Sequence, residues 1–133
     1  MLASLLLPNA FLRLDDIEIS GCGVTIVVTS TQTEGKCPVC CRPAQRVHSR
    51  YVRTLVDLPL SSQRVRIRLR ARRFFCSNPS CKRTTFTEQL PDFAPKSARR
   101  TKRWADIQTV IGLALGGEAG ARLVQKLEKA YQC

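Results

Sequence analysis

Two cysteine pairs constrain this chain more than any other feature. Cys37-Pro38-Val39-Cys40 is a C-x2-C pair, and Cys76-Ser77-Asn78-Pro79-Ser80-Cys81 is a C-x4-C pair. Two intervening residues let both thiolates turn onto one ion in a tight knuckle, and four make a looser version. Together Cys37, Cys40, Cys76 and Cys81 offer the tetrahedral sulfur set that Zn2+ accepts without geometric penalty. Two other readings compete. The pairs could be buried, reduced thiols. The first could be a redox C-x-x-C motif, against which stand the second pair and the lack of a βαβ pattern. Four thiolates leave no open coordination position, so the zinc is expected to be structural rather than catalytic. Its binding energy, on the order of 10 kcal/mol, would substitute for the core that a small basic β-unit lacks.

The remaining cysteines are less informative. Cys41 adjoins the first knuckle and could displace Cys40, although C-x2-C geometry favours Cys40. Cys22 and Cys133 have no partner at ligand spacing and read as ordinary small residues. Seven cysteines is an odd count. The start, Met1-Leu2-Ala3-Ser4-Leu5-Leu6-Leu7-Pro8, lacks the basic n-region and long apolar run of a signal peptide. Both points argue against a disulfide scaffold and for a reducing cytoplasm. The apolar start reads instead as a helical turn packed on the body. His48, the single histidine, reads as a strand surface residue, with a spare ligand or a phosphate contact as alternatives.

Charge is distributed unevenly. The chain of 133 residues carries +12. From Arg42 to Arg103 there are 17 basic residues against Asp57, Glu88 and Asp92, a net of +14, so the remainder is −2. One-signed clustering of this strength points to a polyanion, nucleic acid before an anionic membrane. A solubilising surface would normally mix both signs. The aliphatic content excludes a disordered tail. No run approaches the roughly 20 apolar residues that a membrane span needs.

Gln63 to Arg72 has the cleanest pattern. Val65, Ile67, Leu69 and Ala71 alternate with Arg64, Arg66, Arg68, Arg70 and Arg72. On a strand this places an aliphatic face against a row of guanidinium groups. A helix would scatter the arginines all round. Same-face arginines recur at about 7 Å, close to the spacing of successive phosphates on one DNA strand. The competing reading is protection of a sheet edge against aggregation. Arginine rather than lysine favours phosphate recognition. Lys96, Arg99, Arg100, Lys102 and Arg103 form a second basic cluster that can serve the same backbone. Phe74, Phe75, Phe86, Phe93 and Trp104 read as core rather than as base-stacking platforms.

Other segments are coarser. Residues 14–30 read as two short strands, Thr29 to Lys36 as a loop, and Arg46 to Tyr51 as a strand. Asp57-Leu58-Pro59 marks a turn with its surroundings, and Thr84 to Leu90 could be another short strand. After Pro91 to Pro95 the pattern turns helical, with Ser97 or Thr101 as cap. Trp104, Ile107, Ile111 and Leu115 recur at helical spacing, and Gly116-Gly117 breaks the helix. Glu118 suits the start of a second helix striped with Leu123, Val124 and Leu127. The chain is therefore expected to be α+β, a β-rich zinc ribbon over 1–92 and a two-helix segment over 93–133.

Several stretches also resemble one family. They are Cys37-Pro38-Val39-Cys40, Val47-His48-Ser49-Arg50-Tyr51, Arg53-Thr54-Leu55, Asp57-Leu58-Pro59, Arg72-Arg73-Phe74-Phe75-Cys76 and Cys81-Lys82-Arg83-Thr84-Thr85-Phe86. Ala98-Arg99-Arg100-Thr101 and Gly116-Gly117-Glu118-Ala119-Gly120-Ala121-Arg122-Leu123 continue the pattern. In order and spacing they resemble the front end of bacterial insertion-sequence transposases of the third ISL family, over about residues 5–128. The resemblance implies a zinc-binding domain and a helix-turn-helix that bind the terminal inverted repeats of the element. It maps the zinc ligands onto Cys37, Cys40, Cys76 and Cys81. In that family a recognition helix and a catalytic domain with three metal-binding carboxylates follow; here the chain stops at Cys133. The implied chain is a truncated transposase with an incomplete helix-turn-helix and no catalysis of its own. It would be bacterial, cytoplasmic and nucleoid-associated. Its partners would be double-stranded DNA and an intact transposase, not a membrane or a small-molecule substrate. A catalytic fragment, or an RNA-binding or protein-bridging zinc ribbon, are the rival readings.

Overall fold

The alternation of arginine and aliphatic residues does produce a strand, and that strand organises the molecule. In the computed structural model, residues 11–21, 23–60 and 63–129 are described. The expected N-terminal turn, Cys22 and Cys133 lie outside them. Strands β1 (Leu12–Ser20), β2 (Gly23–Ser30), β3 (Gly35–Lys36), β4 (Pro43–Ala44), β5 (Val47–Leu60), β6 (Gln63–Phe75) and β7 (Thr85–Thr87) precede helices α1 (Lys102–Leu115) and α2 (Gly117–Lys129). The main sheet runs β1-β2-β6-β5, with β7 also paired to β6; β3 and β4 form a separate ribbon. The protein is β-rich with two helices, a mixed α+β arrangement.

β6 is interior along its length. It pairs antiparallel with β5 from Gln63 to Phe74. On its other side it pairs parallel with β2 over Val65–Arg70 and then antiparallel with β7 over Arg73–Phe75. The edge-protection reading of the arginines therefore fails, because their strand has neighbours on both sides.

One face of this sheet is an aliphatic core. Val65, Ile67, Leu69 and Ala71 of β6 pack with Val24, Ile26 and Val28 of β2, Leu55 of β5 and Leu12 of β1. Leu90, Phe93 and Ala94 close over them from the segment that follows β7. A second cluster, Cys37, Ala44, Phe74 and Phe86, lies at the far end of β6. Phe74 shares the even-numbered face with the arginines, so the two cores sit on opposite faces of one strand.

Two local expectations change. Asp57-Leu58-Pro59 is not a turn; β5 runs through it to Leu60. The ladder is irregular between Asp57 and Leu60, which accommodates a proline that has no N–H to donate. The loop expected over Thr29 to Lys36 is shorter, because β2 extends to Ser30 and Gly35–Lys36 pair with Pro43–Ala44. Gly35 is required there: a Cβ would lie 2.6 Å from the Phe74 ring.

The helical hairpin is tied to the sheet through a buried carboxylate. Thr101 caps α1, its hydroxyl accepting from the Trp104 amide at 3.4 Å. The same hydroxyl donates to Asp57 Oδ1 at 2.7 Å, and Arg103 Nε donates to that oxygen at 2.8 Å. Val56 donates to Arg99 O and accepts from the Thr101 amide, so this segment extends the β5 edge. Gly116, at φ 83°, ends α1. Gly120 then packs on Gly112, so closely that a Cβ would stand 2.8 Å from the Gly112 Cα. Of the expected α1 stripe only Trp104 is fully buried; Ile107 and Leu115 remain exposed.

Candidate metal centre and basic sheet face

Both knuckles are held by backbone hydrogen bonds that turn sulfurs inward. In the first, the Cys41 amide donates to Cys37 O at 2.9 Å and the Cys37 amide donates to Arg42 O at 3.1 Å. Cys41 itself adopts φ 63° and closes the turn from outside, exposed. In the second, the Cys81 amide donates to Asn78 O at 3.1 Å and the Cys76 amide to Thr84 O at 2.9 Å. The β6 strand delivers Cys76 directly after Phe75, and the β3–β4 ribbon frames Cys37 and Cys40.

The four sulfurs of Cys37, Cys40, Cys76 and Cys81 all lie within 4.8 Å of one another. Cys37 and Cys81 are 3.9 Å apart, and Cys40 and Cys76 are 3.6 Å apart. A tetrahedral ion with bonds of about 2.3 Å would space its sulfurs by about 3.8 Å. The residues therefore fit zinc in donor type, number and spacing. Cys40 completes the set and Cys41 does not. Their electrostatics suit shared ligation. The backbone amide of Cys40, with that of Val39, pulls the Cys37 thiol down to about 6. The Cys76 thiol receives a backbone hydrogen bond at Asn78, yet burial and the neighbouring thiols push it up to about 12. A bound cation would stabilise all four as thiolates and cross-link the two knuckles. His48 stands outside this cluster, bonded to Ser49 at 3.0 Å and edge-on to Phe75. Arg46 also lies over Phe75.

The predicted basic residues fall into two groups. Arg66, Arg68 and Arg70 are exposed side by side on β6, with Arg64 half-buried at the row's start. Arg72 differs. It forms an ion pair with Glu88 at 3.1 Å, bonds the Gln32 carbonyl and lies over the Phe74 ring. Glu88 is buried and also accepts from the Ser30 hydroxyl. Arg103 is likewise committed to the buried Asp57. Arg99, Arg100 and Lys102 are exposed where the chain enters α1; Lys102 pairs with Asp106 at 2.9 Å.

Asp57 and Glu88 were not singled out by sequence reasoning, although their rarity in a basic stretch was a signal. Each is buried, and each neutralises one arginine. Of the three acids between Arg42 and Arg103, only Asp92 is left exposed.

Residues 33–81 match the family model described as the zinc-finger of transposase IS204/IS1001/IS1096/IS1165. No curated protein and no solved structure matches the chain. No helix of the described residues is long and apolar enough to cross a membrane. The match begins ahead of the first knuckle and ends on the last cysteine of the second, enclosing the whole four-sulfur cluster. Residues 33–81 are thus similar to the zinc finger of these transposases, with Cys37, Cys40, Cys76 and Cys81 placed to bind a metal ion.

Proposed function

We propose that this chain is a zinc-dependent DNA-binding module that lays its basic sheet face on duplex DNA, with transposon ends as its target. One observation carries the reading: Arg66, Arg68 and Arg70 stand exposed in a line on an interior strand. Guanidinium groups on a rigid strand match phosphate oxygens with little loss of conformational freedom. The exposed Arg99, Arg100 and Lys102 add positive charge beside β5, where the Arg100 bridge joins the sheet. Four thiolates complete a tetrahedral shell, so the metal's proposed role is to hold shape rather than to catalyse.

The test is binding of zinc-loaded protein to duplex DNA across a salt series. Affinity should fall with a log–log slope near −0.9 per phosphate contacted. Replacing Arg66 and Arg68 with alanine should weaken binding to all sequences alike and flatten that slope. A flat response in the parent protein, or tighter binding to structured RNA than to duplex DNA, overturns the reading.

A further inference from the structure

The arginine row has a shape as well as a charge. On the even-numbered face, Arg66 lies between Thr25 of β2 and Val56 of β5. Arg68 lies between Val27 and Thr54, and Arg70 between Thr29 and Val52. Every neighbour across the ladder is a short β-branched residue, and every residue of the row is the longest cation available. The result is a single-file ridge, one side chain wide, with low ground on both sides.

Beyond that low ground the two sides differ. β1 places Asp16 opposite Val27 and Glu18 opposite Thr25, and Asp15 lies 4.0 Å from Arg70 and accepts from the Thr29 hydroxyl. Asp16 and Glu18 therefore form a carboxylate strip parallel to the ridge, two strands away, or about 10 Å at ordinary strand spacing, whereas Asp15 reaches inward to the end of the row and is also paired with Arg13.

A ridge fits a groove. We infer that the Arg66–Arg68–Arg70 row enters the minor groove of A·T-rich duplex DNA; this deepens the DNA-binding reading and rests on it. The minor groove is about 6 Å wide and the major groove about 12 Å. Adjacent strands lie about 5 Å to either side of β6, so the walls of a narrow groove descend over β2 and β5. The Thr25 and Thr54 side chains there are short enough to let the walls close and can donate to phosphate oxygens. A wide groove would carry one wall out over Asp16 and Glu18, where like charges repel. The row would therefore read groove width. A·T-rich tracts have the narrow groove and the deepest negative potential, which draws in arginine.

The experiment measures zinc-loaded protein against two duplexes of equal length, one with a central A-tract and one entirely G·C, at one salt concentration. The A-tract duplex should bind about tenfold tighter, the scale expected of minor-groove shape readout. An oligopyrrole that fills the minor groove should displace the protein from it. Equal affinity for both duplexes, or binding indifferent to the oligopyrrole, overturns this inference and leaves duplex binding standing. Failure to bind either duplex overturns the DNA-binding reading and this inference with it.

Discussion

Around Ile67 the sheet gathers twelve buried side chains into one aliphatic cluster; around Phe74, at the other end of the same strand, it gathers four, one of them a cysteine. The first cluster is closed by long-range contacts between β1, β2, β5, β6 and the segment at Phe93. The second is closed by half-buried cysteines. Burial of aliphatic area can sustain the first. The second has too little area, and the coordination of an ion takes over that task. Glu88 connects the two regions, reaching Ser30 on β2 and Arg72 on β6 beside Phe74. The difference teaches that one strand can be stabilised by two unrelated mechanisms on opposite faces.

Stripping zinc should have the largest effect, because structural sites contribute on the order of 10 kcal/mol or more. With a strong chelator, amide hydrogen exchange should accelerate across residues 37–47 and 76–87. The β2–β6 ladder should stay protected. Melting of the ladder together with the knuckles would show that the two clusters form one cooperative unit. Next in size is Ile67→Ala, which removes a fully buried side chain from the aliphatic cluster. Its cost should be about 2–5 kcal/mol in a urea titration. Native mass spectrometry should still find one zinc per chain, and loss of zinc would break the separation.

The smallest effect concerns Asp15. The Thr29 hydroxyl, with Arg13 and Arg70 nearby, holds its carboxyl below the ordinary 3.8. A folded value below the unfolded one means stability that is complete above about pH 4 and is lost as pH falls through the lowered value. Asp15→Asn should therefore be slightly less stable than the parent at neutral pH and lose the difference at the acid end. An unchanged acid limb would show that this contact contributes nothing, as many exposed pairs do.

Legibility in the sequence followed the range of the interaction. The cysteine ligands could be named because C-x2-C and C-x4-C are local patterns, and β6 because a period of two is local. The Thr101 cap was one of two candidates for the same reason. Asp57-Leu58-Pro59 was misread as a turn because its turn-forming residues say nothing of the distant Thr101 and Arg103 that engage Asp57. Arg72 looked identical to Arg70 in the pattern; only the buried Glu88, sixteen residues on, separates their roles. The parallel pairing of β2 with β6 left no local trace, since a polar loop, two knuckle cysteines and β5 intervene between them.

Phe74 sits on the arginine side of β6, yet it is the side chain wedged beneath Gly35 and Phe86 at the cysteine end. A strand displaced by a single residue would exchange its two surfaces, turning Val65, Ile67 and Leu69 to water and the guanidinium groups inward. Anchoring Phe74 forbids that displacement along the full length of β6. Phe74 at one end of β6 and the aliphatic cluster at the other thus enforce the same register, and with it the surface the molecule shows to its surroundings as cationic.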